Sequence, residues 1–172
     1  MSILRVNQIQ DGTGKIILSN TGSILQTVYG DMGSNTATIT SADNAVIPNC
    51  SVTITPTSTT SKIVLLAHVV TNIVYVSSYG FSRNGVNIGG NTNTNSSNVI
   101  AMNYQGQAVG VEGGCISISY QYLDSPASTS ALTYAPTACS SWSGANYTLR
   151  INDRNSLDMR GLTSITAIEV SS

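Results

Sequence analysis

Hydrophobic and polar residues alternate with a period of two along most of the chain beyond residue 27. The alternation is regular in Ile116–Leu123, and it also runs through Thr36–Thr40 and through Ser51–Thr55 until Pro56 interrupts it. A period of two predicts β-strands that bury one face. The segment Lys62–Val70, KIVLLAHVV, is instead almost continuously apolar, which predicts a central strand covered on both faces.

Weaker patterns of the same kind complete an all-β chain. Further strands are predicted in Ile73–Phe81, Ala131–Ala135, Tyr147–Ile151 and Ser164–Val170. An Asn-Gly pair within Arg83–Val86 predicts a tight turn between two strands. No segment keeps a helical period. About eight or nine strands at intervals of about 10–15 residues predict an antiparallel β-sandwich or jelly roll, formed by residues 28–172.

Residues 1–27 differ from the rest of the chain. Short apolar stretches are separated there by turns at Asp11–Gly14 and Ser19–Gly22. Strands this short cannot bury their apolar sides alone. They either fold back on the same domain or form an extended arm that docks on another subunit or winds with its own copies, and we expect the arm. Its expected attachment and oligomerisation residues are Ile3, Leu4, Val6, Ile9, Ile16, Ile17 and Leu18.

The amino-acid composition limits the kinds of partner that this protein can bind. Only 9% of the residues are charged, against about 25% in an average soluble domain, and the net charge is −1. Seven scattered Lys and Arg residues do not supply a nucleic-acid surface. No apolar run is long enough to insert in a membrane, and no signal peptide is recognisable. A neutral surface, continuous apolar strands and an apolar arm together predict an assembled protein, which we expect to be a homotrimer.

Candidate chemistry is sparse. His68 is the only histidine, and its place inside KIVLLAHVV is typical of a core or interface residue rather than a catalytic base. Asp124, Asp153 and Asp158 lie in or beside predicted turns, where aspartate caps backbone N–H groups. The three cysteines are widely spaced and form no zinc or disulfide pattern. We therefore expect no catalytic residues, no cofactor and no metal, and a protein that is not an enzyme.

The aromatic and amide residues of two polar segments are candidates for recognition. Gly89–Asn98 is a ten-residue polar loop, and Trp142 lies in the loop-like segment Ser140–Gly144. An aromatic ring among Ser and Gly offers contact area at little entropic cost, which suits sugar or protein. Alternatively, Trp142 closes one end of the sandwich or a seam between subunits. The candidate receptor contacts are Asn91, Asn93, Asn95, Trp142 and Tyr147.

Several stretches carry a family resemblance. They are the arm Leu4–Gln10, the stretch TPTSTTSKI at Thr55–Ile63, the stretch YLDSPAST at Tyr122–Thr129, and the closing segment Leu162–Val170. In these the chain resembles the small tail-fibre and virion structural proteins of tailed phages, notably cyanophages. The resemblance covers nearly the whole chain, and residues 85–112 depart from it most.

The resemblance implies a homotrimeric jelly-roll knob in the virion, joined to other virion proteins through the N-terminal arm. It brings no catalytic residues. The function it favours is a short tail fibre or receptor-binding knob whose loops contact host-surface glycan. The alternative is a decoration, or cement, protein that stabilises the capsid. A polysaccharide depolymerase is a third class, disfavoured by the few acids and the single histidine. The protein would be made in the host cytoplasm and located in the virion.

Overall fold

The computed structural model describes residues 8–10, 12–13, 16–19, 22–41, 43–72, 76–91, 98–104, 114–142, 145–154 and 160–172. Within these residues every strand pairs antiparallel and no helix forms. The strands are β1 (Gln8–Gln10), β2 (Ile16–Ser19), β3 (Ile24–Asp31), β4 (Ala37–Ile39), β5 (Ala45–Val46), β6 (Val52–Ile54), β7 (Lys62–Asn72), β8 (Val76–Arg83), β9 (Val86–Ile88), β10 (Ala101–Tyr104), β11 (Cys115–Asp124), β12 (Leu132–Cys139), β13 (Ser141–Trp142), β14 (Ala145–Asn146), β15 (Leu149–Ile151) and β16 (Ser164–Val170).

Sheet 1 contains six strands and is organised around β7. Strand β11 follows the full length of one edge of β7. Strand β16 pairs with the first part of the other edge, and β15 takes over near Thr71. Strands β3 and β4 then border β16 and β15. The prediction that Lys62–Val70 forms a central strand is therefore confirmed.

Sheet 2 also contains six strands, with β8 and β12 at its centre. Strands β9 and β10 border β8, and β5 and β6 border β12. The tight turn predicted from Asn-Gly joins β8 to β9 at Asn84 and Gly85, which have φ angles of 52° and 80°. Positive φ at both central residues is the requirement of a hairpin turn that follows the strand twist.

The core lies between the two sheets. Sheet 1 contributes alternate residues such as Leu65 and Val69 of β7, and sheet 2 contributes the buried rings of Tyr79 and Phe81. The ring of Tyr120 from β11 lies 4.9 Å from that of Phe81, centroid to centroid, and so joins the sheets. The predicted fold class, an all-β antiparallel sandwich, is confirmed. None of the described residues belongs to a helix long and apolar enough to span a bilayer.

Three local predictions differ from the structure. Strand β7 alternates between buried and partly exposed residues, so the chain covers one of its faces and leaves Leu66 39% exposed on the other. Trp142 lies in a short hairpin, β13 paired with β14, rather than in a loop. The division after residue 27 falls inside β3, because pairing with β16 already begins at Ile24.

Candidate functional site

The sandwich has two ends, which the ends of β7 define. Lys62 marks one end and Asn72 the other, about 33 Å apart at the usual rise of a strand. Strand β3 begins beside Lys62, since Ile24 pairs with Val170 and Val170 pairs with Lys62. The chain before β3 therefore enters the sandwich at this end. We call it the arm end and the opposite one the far end.

Backbone hydrogen bonds fix the junction between the arm and the sandwich. Gly22 N donates to Ser171 O at 2.8 Å, and Ser171 N donates to Ser23 O at 2.9 Å. The Ser23 amide donates in addition to Ser171 Oγ at 3.0 Å. Residues 22–23 thus extend the pairing of β3 with β16, and the arm starts from a fixed point.

The structure describes part of the predicted arm. Strands β1 and β2 pair as a separate two-stranded sheet, with Ile9 opposite Leu18. Ile16 and Ile17 also belong to β2. Ile3, Leu4 and Val6 lie outside the described residues.

A buried glutamate holds three segments together at the arm end. Glu169 of β16 is fully buried, and one of its oxygens accepts hydrogen bonds from Thr57 N at 2.7 Å and Thr57 Oγ1 at 2.8 Å. Its other oxygen accepts from Gln26 Nε2 at 2.6 Å, and the same amide nitrogen donates to Thr55 O at 2.7 Å. Glu169 therefore ties β3 and the TPTSTTSKI stretch to β16.

These donors keep Glu169 ionised. Burial alone would raise the pKa of the carboxyl group, because it penalises the charged form. Hydrogen bonds from Gln26 and Thr57 outweigh burial and lower the pKa of Glu169 from 4.5 to about 2. A carboxylate with its oxygens occupied in this way is a structural clamp.

A second buried carboxylate joins the two sheets. Asp124, at the end of β11, accepts from Arg83 Nη1 at 2.9 Å and from the hydroxyl of Tyr134 at 2.6 Å, both on Oδ2. Its Oδ1 accepts from Ser125 N at 2.9 Å. Burial, with the hydrogen bond to Asp124 next, raises the pKa of Tyr134 above its ordinary value. Asp124 is thus bound to the centre of sheet 2.

The two carboxylates flank one core residue. Ile63 of β7 pairs with Asp124 on one side and with Glu169 on the other. Two stretches noted in the sequence, TPTSTTSKI and YLDSPAST, supply members of these networks, Thr57 and Asp124 respectively. These two stretches therefore have a structural role, which is to hold the arm end together. Sequence reasoning missed Glu169, because apolar Ile168 and Val170 stand on either side of it and a local period of two would turn it outward.

His68 lies on the outward side of sheet 1. Its Nδ1 is 2.9 Å from Ser119 Oγ, and a shallow depression of about 560 Å³ lies over the pair. Register places Asp31 two strands away, beyond Ser164, or about 10 Å. A Ser-His-Asp arrangement needs its acid hydrogen-bonded to the imidazole, and Asp31 is not in reach. Among the described residues, no group of three or more His, Cys, Asp or Glu side chains could hold a metal ion.

The far end holds two of the predicted recognition residues. Trp142 in β13 pairs with Ala145. Tyr147 follows β14, is half-buried, and donates its amide to Ser140 O at 2.9 Å. Ser140 Oγ donates to Val76 O at 2.7 Å, which fixes this segment to the start of β8.

The polar loop Gly89–Asn98 leaves from the flank of sheet 2 instead. Asn91 is exposed, and it exchanges two backbone hydrogen bonds of 3.0 Å with Val99. Asn98 adopts a φ of 60° and closes the base through Nδ2 to Gly89 O at 2.8 Å. Asn93 and Asn95 lie outside the described residues.

Asn91 and Trp142 therefore start from different parts of β8. Ile100, just after the loop, donates to Tyr79 O, whereas the segment of Trp142 is fixed at Val76. The two levels on β8 are about 10 Å apart along the strand. The buried side chain of Asn44, which sequence reasoning missed, reaches the loop base at Asn98 O over 3.4 Å.

Comparison with known proteins gives little likeness. No protein-family model matches the chain, and no curated protein matches it. Among solved structures, the structure of infectious bursal disease virus Gx strain is similar with a TM-score of 0.28 and 10% sequence identity. That similarity covers 98% of this chain and 43% of the viral chain, so this chain spans less than half of its length.

Proposed function

We propose that this protein is a structural protein of a phage virion, a short tail-fibre or receptor-binding knob that the N-terminal arm attaches to the particle. The observation that carries the proposal is the polarity of the sandwich. The arm leaves at one end, beside Ser171, and the hairpin with Trp142 lies at the other, about 33 Å away. A knob of this kind needs its attachment and recognition surfaces apart.

The arm end joins the arm to the sandwich rigidly. Its junction is fixed by Ser171, and the adjoining carboxylates Glu169 and Asp124 are satisfied by donors from separate segments. The isolated β1–β2 hairpin is too small to be stable alone, which suits a segment that binds a partner. The proposal includes a homotrimer of this chain, other virion proteins as partners of the arm, and no enzymatic activity.

The far end supplies the recognition surface of the proposal. We expect Trp142, Tyr147 and the flank loop at Asn91 to contact an uncharged host-surface glycan. Hydroxyl groups of neutral sugars form hydrogen bonds with amide and hydroxyl side chains, and sugar faces stack on aromatic rings. Loops and hairpins on a rigid sandwich are the usual carriers of such recognition.

Deletion of residues 1–21 tests attachment. The cut falls before Gly22, so the hydrogen bonds with Ser171 are kept. We expect a folded protein by circular dichroism that is lost from assembled particles. A matched control replaces residues 1–21 with a Gly/Ser linker of equal length, and it should be lost equally. Incorporation of the deletion variant at the full-length level would refute the attachment role.

Copy number separates the favoured role from capsid decoration. Quantitative mass spectrometry of purified particles should find a few dozen copies or fewer for a fibre, and the isolated knob should compete with particles for host cells. Hundreds of copies without competition would instead support a decoration protein that stabilises the head.

A further inference from the structure

The outward face of sheet 1 is apolar at its centre. Strands β3, β16, β7 and β11 contribute to it, and register aligns their outward residues in rows. We call the central part of this surface the outer face. It consists of two rows of four residues, in which five apolar side chains stand among three uncharged polar ones: Tyr29, Thr166, Leu66 and Gln121 in one row, and Thr27, Ile168, Val64 and Leu123 in the other.

The outer face is open to solvent in the single chain. Leu66 is 39% exposed, Leu123 55% and Tyr29 56%. No charged residue belongs to it, and the charged neighbours Asp31 and Lys62 stand in the rows at its borders. Monomeric proteins rarely leave a contiguous apolar patch of this kind uncovered.

The sequence of β7 indicates that the outer face is covered in the assembled protein. Its nearly continuous apolar sequence is that of a strand covered on both faces, yet sheet 2 covers only the inward residues. At the far end, the chain supplies some of the outward cover itself, because Gly161 lies against Val70. Nearer the arm end, Val64 and Leu66 keep outward surface that the described residues leave uncovered.

We propose that the outer face packs against other copies of this chain. A face without charge is electrostatically compatible with itself, since no like charges meet when copies associate. The two central rows across four strands measure about 19 Å by about 14 Å, or roughly 270 Å² before side-chain relief is counted. With the bordering rows that hold Asp31 and Lys62 the surface reaches roughly 500 Å², the larger part of the roughly 800 Å² per partner that a stable interface buries.

The arm is a second reason for a copy as the partner. Ile24, where the arm joins β3, is 66% exposed and lies beside Val170 at the border of the outer face. Copies joined through this face would release their arms side by side. Each marginal β1–β2 hairpin then has neighbours of the same sequence to pack against.

The inference rests on the proposed homotrimer and names its interface. Leu66 lies on the central strand of the face, so it would approach the same residue of the other subunits near the symmetry axis. A lysine there would bring like charges together inside a buried surface, which strongly disfavours association.

Light scattering coupled to size exclusion tests the interface. The full-length chain should run at about 54 kDa, three times its 17.9 kDa. Leu66→Lys and, separately, Leu123→Lys should shift it to 17.9 kDa at micromolar concentration while the circular dichroism of the sandwich is kept. The matched control is Val86→Lys on β9, a 67% exposed residue of sheet 2, which should leave the mass at about 54 kDa.

Each outcome decides between the two proposals. A wild-type protein of 17.9 kDa refutes the homotrimer and the interface together. A wild-type trimer that Leu66→Lys and Leu123→Lys leave intact refutes the outer face as the interface, and the homotrimer stands. If the variants stay trimeric but lose binding to particles or to glycan, the outer face binds another partner. That result also refutes the outer face as the interface between copies. If Leu66→Lys unfolds, the more exposed Leu123→Lys decides.

Discussion

Replacing Glu169 with Gln should destabilise the sandwich strongly, although it exchanges only one oxygen atom for an NH₂ group. The carboxylate accepts hydrogen bonds from Thr57 on one oxygen and from Gln26 on the other. An amide keeps one acceptor and gains a donor. If its oxygen faces Thr57, its NH₂ group meets the NH₂ group of Gln26. Turning Gln26 around relieves that conflict but places its oxygen against Thr55 O, to which Gln26 now donates.

The reverse orientation sets the new NH₂ group against the Thr57 N–H, so each of these arrangements leaves one buried group mispaired. Loss of one charge-assisted hydrogen bond costs about 1.5–3 kcal/mol, and an unsatisfied buried donor costs about 1–3 kcal/mol. Because the two effects overlap at one contact, we expect a loss of about 2–4 kcal/mol in the free energy of unfolding. For a chain of this length the melting temperature should fall by about 5–15 °C.

Urea unfolding at pH 7 and one fixed protein concentration measures this loss. The pH dependence adds a second readout. Because the pKa of Glu169 is about 2 when folded, below its ordinary 4.5, its contribution is fully present above about pH 5 and disappears as the pH falls toward 2. The stability difference between wild type and Glu169→Gln should therefore shrink over that range.

The matched control is Asp43→Asn, which removes the same charge from an exposed site. It should change the free energy of unfolding by less than about 0.5 kcal/mol. A Glu169→Gln variant as stable as this control would refute the assignment of Glu169 as a clamp. A difference that stays constant down to pH 2 would contradict the lowered pKa.

Three further changes have defined outcomes. Tyr134→Phe removes a donor to the buried Asp124 and should cost about 1–3 kcal/mol in urea unfolding. Gly85→Ala places a side chain at a φ of 80° and should cost about 1 kcal/mol; a neutral result would mean that the turn has another conformation. Trp142→Ala should reduce adsorption of particles to host cells with little change in melting temperature, and a large fall in melting temperature would instead assign Trp142 to the packing of the sandwich or a subunit seam.

The local pattern predicted those parts of the fold that depend on neighbours along the chain. Ser164–Val170 forms β16 with the predicted bounds, and the Asn-Gly pair forms the turn at Asn84 and Gly85. Both depend on side-chain direction and backbone freedom within a few residues. The central place of β7 followed from its apolar content alone.

The remaining features depend on contacts between distant segments. Thr57 and Glu169 are joined across 112 positions, and no local signal pairs them. Neither the inward position of Glu169 nor its donors could be inferred locally, because its two neighbours Ile168 and Val170 are apolar. The Ser and Gly residues around Trp142 predict a loop, yet pairing with Ala145 overrides that local preference. The apolar run of β7 predicted two covered faces, and the described residues cover one face fully and the other only near Val70.

The direction in which β3 leaves the sandwich has a mechanical consequence. In the proposed function the arm is attached to the particle and the far end is bound to the host cell. Tension between the two would pull β3 lengthwise against β16, along seven registered residue pairs. Hydrogen bonds of an antiparallel ladder lie perpendicular to the strands, so a lengthwise load strains them in parallel rather than opening them one after another. The sandwich is thus loaded in shear, the geometry in which a ladder resists tension best, and a tethered knob would stretch its arm before it lost β3.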